Sequence, residues 1–455
     1  STQVSRVLYA IDMLESLDKG NLVTPLLLYH ESPEVRERAL RTLAETRSDI
    51  AGQWIPQVRR ALGDPNGAVR AAALRALSAL SHEDARSVAR PLLADADPRT
   101  RATAAVALAV STEASDLKAA EATLGDIISN SGDEGRGARL EVAAALGQVK
   151  DPRFQRLLIP LLYDPDPEVA EEAMESVRRT GTADFMFVPV LVSLLRNRHL
   201  KGRAREVLVS YGEDVIEPLS FFMDDPNEDV WIRRHIPATI SMITSQKAVD
   251  ALARRLDDPD GFLRYKVIAA LGRLRRADPA LTFPADRIEA AIVREARHYF
   301  THLSLWSNLK TRGDVPDDAL MATALREKIA RTNDRIYELL ALVYPPADIA
   351  AAQWTLTYGD PRNRASASEY LDNLLTGTIR KMVMPIVEDM PLEQRVRRGN
   401  VLIRTRPRDV EETLLQLIND DDQVVSACAI DLVRQRRMWS LAGDIEHVLA
   451  HRDVR

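Results

Sequence analysis

Apolar positions recur along this chain at helical spacing. One set is Val35, Ala39 and Leu43, a second is Val69, Ala73, Leu77 and Leu80, and a third is Val169, Ala173 and Val177. Steps of three and four residues put each set on one face of a helix. A larger unit recurs as well: an apolar helix, a short acidic turn, a proline, then a second apolar helix. It can be followed from Leu26, Val58, Arg90, Leu158, Pro218 and Ala251. The turn prolines Pro33, Pro65, Pro98, Pro167, Pro226 and Pro259 are separated by 32, 33, 69, 59 and 33 residues. Each long gap covers two periods, with Asp133 and residues 196–200 marking the degenerate turns. One helical pair of this size cannot bury its apolar faces alone, so the period implies stacked pairs.

The turn residues have local reasons. Asp, Ser or Asn before a helix accepts backbone N–H groups as an N-cap. Proline fits the first helical position, where no intrahelical donor is lost. Glu34, Glu168, Glu228 and Asp229 favour the positive end of the helix dipole. The pattern predicts an all-α chain, an α-solenoid of stacked antiparallel helical hairpins. Residues 1–276 carry the regular repeats. Over 277–345 the period fails, and two long amphipathic helices joined by KTRGDVP are expected. Residues 346–455 resume a degenerate form, with Asp360–Pro361 as a cap and Asn419 opening a late repeat. A first helix at 3–17 has no partner before it, and residues 451–455 read as a turn plus the start of a further helix. The expectation is a piece of a longer protein, truncated at the C-terminus.

The unit resembles HEAT repeats. Their D-P-x-x-V-R core is represented by Ser32, Pro33, Glu34, Val35 and Arg36, with Ser in place of Asp. After Asp258 and Pro259, the Leu263–Arg264 pair follows two residues late. The resemblance covers residues 20–276 and, more loosely, 346–437. It implies a ladder between turn aspartates and second-helix arginines, with Asp97 and Arg101, and Asp258 and Arg264, as members. Asp166 is followed by Ala170 where the arginine belongs, which implies a break. A narrower resemblance rests on RYKVIAALGRLRR, REARHYF, EKIARTNDRIYELLALVYPPADIAAA and GDPRNRASASEYLDNLL. These segments are similar to the HEAT-repeat region of bacterial membrane proteins related to ADP/ATP translocases. That implies a regulatory or docking domain on the cytoplasmic side, tethered to the inner membrane by parts outside this chain.

Composition narrows the chemistry. The chain has 455 residues, a formal net charge of −6 and one cysteine, Cys428, so it holds no intrachain disulfide and no Cys-rich zinc site. No stretch approaches about 20 apolar residues, the length of a membrane-spanning helix. Arginine supplies 52 of the 61 basic side chains. No phosphate-binding loop is present, and Gly132, Gly135 and Gly137 read as an inter-helix loop. His298 and His302 share a helix face with Glu295 one turn earlier, but no third metal ligand is evident, and they read as structural histidines. His447 and His451 repeat that spacing. Cys428 reads as a buried, inert thiol. No catalytic, cofactor-binding or metal-binding residue is assigned, and the chain is expected to be non-enzymatic.

Two basic clusters remain. Arg233 and Arg234 open one second helix, Arg264 and Lys266 lie on the next, and Arg273, Arg275 and Arg276 close it. Residues 394–408 carry Arg395, Arg397, Arg398, Arg404, Arg406 and Arg408 with no acid among them. Equivalent positions of successive second helices stack into a stripe. Arg233, Arg234, Arg264, Lys266, Arg395, Arg397 and Arg398 are therefore the candidate surface for an anionic partner. The alternative is a set of ladder and helix-end charges facing water. Expected partners are proteins or adjoining domains of the same chain, with an anionic lipid surface next. Net acidity and sparse aromatics (Trp231, Tyr265) weigh against nucleic acid. A DNA-glycosylase-like groove and a HEAT-like lyase accessory are the alternatives to a scaffold.

Overall fold

The computed structural model describes residues 2–17, 19–45, 51–181, 185–312, 315–406 and 408–451. They are helical throughout, with no strand among them. The chain divides into two compact units, residues 1–211 and 212–455. The first contains α1 (Thr2–Ser16), α2 (Pro33–Glu45), α3 (Ile55–Ala61), α4 (Gly67–Leu80), α5 (His82–Leu92), α6 (Pro98–Leu108) and α7 (Ala114–Ser129). It continues with α8 (Arg136–Leu146), α9 (Pro152–Gln155), α10 (Leu158–Leu162), α11 (Pro167–Thr180), α12 (Val188–Leu194) and α13 (Lys201–Ser210). The second helices form a row, α2 on α4, α4 on α6, α6 on α8, α8 on α11 and α11 on α13. This is the α-solenoid arrangement of the HEAT/armadillo class. The apolar stripes read from the sequence lie in the seams: Val35, Ala39, Leu43, Val69, Ala73, Leu77, Val169, Ala173 and Val177 are buried, whereas Leu80 at the end of α4 is only half-buried. Small side chains let the row close up. A Cβ on Gly147 would stand 2.7 Å from Ser176 Oγ, and Ser176 Oγ donates to the Ala143 carbonyl at 2.5 Å.

The turns obey a two-acid rule. The first acid accepts the N–H two residues on: Asp64 from Asn66 at 2.9 Å, Asp95 from Asp97 at 2.8 Å, Asp164 from Asp166 at 2.9 Å. The second polar residue caps the helix, as Asn66, Asp97 and Asp166 cap α4, α6 and α11. The first acid also receives an arginine from the preceding hairpin. Arg36 grips Asp64 at 2.8 and 2.9 Å, Arg70 grips Asp95 at 3.0 and 2.5 Å, and Arg139 grips Asp164 at 2.7 and 3.3 Å. The same arginines turn Nη1 back onto their own turn, as Arg36 does to the His30 carbonyl at 2.7 Å and Arg70 to the Asp64 carbonyl at 2.8 Å. One side chain thus satisfies turn carbonyls in one hairpin and a carboxylate in the next.

This geometry revises two expectations. Asp97 is a cap and not a ladder acid; the ladder acid is Asp95, and Arg101 holds the carbonyls of Asp95 and Ala96 at 2.8 and 3.1 Å. Nor does Ala170 leave its own turn open, because Asp164 already takes Arg139 and Asp166 takes Arg136 at 2.6 Å. The missing donor matters only for the next turn, which has no acid and is capped by Asn197. Proline also has two stations. Pro33, Pro98 and Pro167 start their helices, whereas Pro65 and Pro259 precede the N-caps Asn66 and Asp260. Their rigid φ suits the middle of the turn equally well.

The second unit contains α14 (Ile216–Asp224), α15 (Val230–Ile240), α16 (Gln246–Ala253), α17 (Gly261–Ala277), α18 (Ala285–Thr311), α19 (Leu320–Val343) and α20 (Pro346–Tyr358). It ends with α21 (Pro361–Leu374), α22 (Gly377–Val387), α23 (Leu392–Ile403), α24 (Val410–Ile418), α25 (Gln423–Arg436) and α26 (Ala442–His451). The long pair expected over 277–345 is α18 with α19. Of the segment joining them, Gly313 and Asp314 lie outside the described residues, as do residues 452–455 of the expected terminal helix. Helix α19 packs on α17 and α25, and α18 packs on α22, α23 and α24. Leu305, Leu309, Leu325, Leu414, Leu417, Val425 and Val433 form the core there, with Cys428 only partly buried at its margin. Helix α23 reaches α18 through Gly399, where a Cβ would overlap the Phe300 ring.

The ladder makes a quantitative prediction. Arg139 and Asp164 are nearly closed to water, at 2% and 4% side-chain exposure, while Arg59 and Asp84 are an open pair. Removing one partner of a buried pair costs about 3–5 kcal/mol, and an exposed pair contributes about 0–1 kcal/mol. Urea unfolding of Asp164→Ala should show the large loss and Asp84→Ala almost none; equal losses would contradict the ladder's role.

Candidate functional site

The first basic cluster is organised by two neighbouring helix starts. Asp229 caps α15 through the N–H groups of Trp231 and Ile232, and Asp260 caps α17 through those of Phe262 and Leu263. Trp231 and Phe262 therefore occupy the same position on adjacent helices. Their rings meet edge to face at 6.4 Å, and Tyr265, one turn on, meets Phe262 at 6.1 Å. All three remain open to solvent, at 45%, 43% and 40% exposure. Two cations lie over them. The Arg234 guanidinium is 5.3 Å from the Trp231 ring and 4.9 Å from Phe262, and Lys266 Nζ is 5.1 Å from Phe262 and 5.3 Å from Tyr265.

The cations differ in what else they do. Arg234 holds Asp260 with both arms, at 2.8 and 3.1 Å. Burial favours the neutral Asp260 carboxyl, but Arg234 overrides it and holds the carboxyl below its ordinary value. Lys266 has no acidic partner among the described residues. Arg233 and Arg264 point away from this surface into the turns. Arg233 donates to the Met223 carbonyl at 3.0 Å and faces Asp258 at 3.5 Å. Arg264 is buried and donates to the carbonyls of Asp258 and Pro259 at 2.6 and 3.1 Å. At the far end of α17, Arg273 donates to Ser241 Oγ at 3.0 Å and Arg275 to the Pro279 carbonyl at 3.2 Å.

The second cluster is scattered. Arg397 is exposed and has no acidic partner among the described residues. Arg398 pairs with Glu388 at 2.5 Å and Arg406 with Glu412 at 2.5 Å. Arg395 turns inward and donates to the Glu388 carbonyl at 2.9 Å. Arg404 ends α23 in the left-handed conformation, at φ 55°. The acids missing from residues 394–408 are thus supplied by both flanks.

A buried charge cluster lies between α17, α18, α19 and the start of α25. Asp420 receives His302 Nε2 at 2.8 Å and the Lys328 ammonium. Lys328 also donates to Asp421 at 2.5 Å. Arg264 stands 3.7 Å from both Asp421 and Glu295, and Glu295 accepts Arg335 at 2.8 Å. His302 places its other ring nitrogen 2.7 Å from the His298 carbonyl. The two-histidine spacing therefore serves an ion cluster in which Asp420 is the first acid of a two-acid turn, accepting the Asp422 N–H at 2.8 Å. Sequence reasoning passed over Lys328; the D-D-D run at 420–422, in register with the other turns, was the available signal.

Comparison with known families agrees with the repeat in the first unit. Residues 21–109 match the family described as HEAT repeats. A solved structure described as an engineered protein is 16% identical, with 92% of this chain and 98% of that one covered and a TM-score of 0.27. No curated protein sequence matches this chain. The HEAT repeats point to a protein-interaction scaffold.

Burial alone would raise the Asp420 carboxyl, but His302 and Lys328 hold it well below the carboxylate range. Arg36 and Arg70 likewise outweigh burial at Asp64 and Asp95, keeping both carboxyls low. A depressed folded-state value means that the stabilisation is complete above the unfolded value of about 3.9 and is lost as pH falls below it. These carboxylates add no slope between about pH 7 and 5, and unfolding midpoints should fall steeply below about pH 4. Asp420→Asn should lower the plateau and flatten that fall; an unchanged acid limb would contradict the assignment.

Proposed function

We propose that this chain is a non-enzymatic interaction scaffold, and that the second unit docks an acidic protein segment on the surface formed by Trp231, Phe262, Tyr265, Arg234 and Lys266. The observation that carries the reading is three solvent-open rings held edge to face, with a cation over each pair. Rigid aromatic and cationic side chains dominate interface energetics because they bury much area and lose little entropy. Charge complementarity selects the partner. Among the described residues no carboxylate competes for the Lys266 ammonium, and Arg234 is already oriented by Asp260. A glutamate-rich segment with an apolar anchor satisfies both features. Arg397 and Arg398 on α23 are not part of this docking face, and Arg398 already pairs with Glu388.

The finer reading is a regulatory or docking domain of a membrane protein related to ADP/ATP translocases, with adjoining domains of the same protein supplying the acidic segment. Its support is the resemblance of the segments around residues 264–276, 294–300 and 327–375. Among the described residues no helix is long and apolar enough to cross a membrane. An attachment would have to come from other parts of the protein.

A fluorescein-labelled peptide of alternating Glu and Leu is a direct probe. Its anisotropy should rise on titration with the chain, and rising salt should weaken binding. Trp231→Ala and Lys266→Glu should each weaken it by at least about tenfold, or about 1.4 kcal/mol, while Arg254→Ala, outside the docking surface, should not. Equal binding by all three variants would refute the docking face. Capture by anionic phospholipid vesicles without peptide binding would refute the protein partner.

A further inference from the structure

Where the repeat period fails, the second unit forms an open-sided chamber. It lies among α18, α19, α20, α21, α22 and α23 and has a volume of about 910 Å³. That falls within the range of roughly 300–1,000 Å³ typical of small-molecule sites. Leu303, Trp306, Ile329, Leu356, Ile386 and Val387 give it an apolar wall. It shares no residue with the docking face on α15 and α17, and its argument does not depend on that reading.

The polar part of the lining is unfinished. Among the described residues, Arg364 Nε, Arg395 Nε and Asn333 Oδ1 are buried and have no hydrogen-bond partner, while the Arg395 guanidinium also interacts with the Tyr299 hydroxyl. Arg364 Nη2 faces Asp389 at 3.6 Å, and Arg395 Nη2 donates to the Glu388 carbonyl at 2.9 Å. Two buried N–H donors without acceptors are costly unless a ligand supplies an acceptor. The acids around the chamber do not supply it. Asp372 is held by Arg380, Glu388 by Arg398 and Asp389 by Arg364. Among the described residues, the lining cations without a carboxylate partner are Arg326, which reaches only the Thr323 hydroxyl, and Arg395. The one unmatched acid is Glu369. The unmatched charge is therefore positive, and it sits beside an apolar wall.

We propose that this chamber binds an anionic amphiphile. The apolar tail lies against Leu303, Trp306, Ile329 and Ile386, and a single carboxylate or phosphate head accepts from the Nε–H groups of Arg364 and Arg395. The two guanidinia belong to different helices, α21 and α23, and both residues line the chamber. A Lys in either place would offer a point charge on a flexible stem and lose the fixed fork.

Trp306 in the wall provides the readout. Titrating the full chain with a brominated undecanoate should quench tryptophan emission saturably, and Trp306→Phe should abolish the saturable part. Decanoate and decyl phosphate should compete, their ratio distinguishing a carboxylate from a phosphate head, while decylamine and decanol should not. Arg395→Gln and Arg364→Gln should each weaken binding at least tenfold. Ala330→Phe, which fills the chamber from an exposed position on α19, should block it with helical circular dichroism unchanged. The proposal is overturned by quenching that does not saturate by millimolar ligand, by competition from decylamine equal to that from decanoate, or by binding that survives Ala330→Phe.

Discussion

The structure depends on one recurring interaction: an arginine that bonds the carbonyls of its own turn while its other edge grips the first acid of the next turn. Arg36, Arg70 and Arg139 do this in the first unit. Without it, each hairpin would leave turn carbonyls and a half-buried carboxylate unpaired, and burial of unpaired polar groups is expensive. The same contact sets the register between neighbours. A hairpin displaced along the row would lose both halves of the bond at once. Arginine is suited to the role because its planar fork can point donors in two directions, which gives the chain's excess of arginine over lysine a structural meaning.

The same constraint separates structural cations from available ones. Arg233 and Arg264 are absorbed by turns, and Arg264 extends the ladder into the buried cluster with Glu295 and Asp421. Arg234 and Lys266 stand one residue and two residues further along their helices and emerge on the aromatic surface instead. A shift of one or two positions on a helix turns a side chain by 100° or 200°, enough to separate a buried rung from a docking group. In the second unit the long α18 and α19 interrupt the run of short helices, and the open-sided chamber lies beside them.

Periodicity made the helices and the buried stripes legible, because a period near 33 residues with apolar steps of three and four has few solutions. Turn chemistry was only partly legible. The D-P pair looks alike whether the proline starts the helix, as at Pro167, or precedes the cap, as at Pro259. Only the hydrogen bonds distinguish them. Long-range partners were not legible at all. His302 and Lys328 meet Asp420 across about 90 to 120 residues of sequence, and the D-D-D run at 420–422 marks a turn without announcing which side chains it receives. The inward turn of Arg395 was equally hidden, since its neighbours Arg397 and Arg398 face outward in an identical composition.

The central functional claim is that a small aromatic and cationic surface on α15 and α17 is where an acidic partner docks. Hydrogen–deuterium exchange on the intact chain, with and without saturating Glu–Leu peptide, tests it most directly. The account predicts new protection confined to the first turns of α15 and α17, around residues 229–234 and 260–266. Protection elsewhere, or none there at saturation, would contradict it.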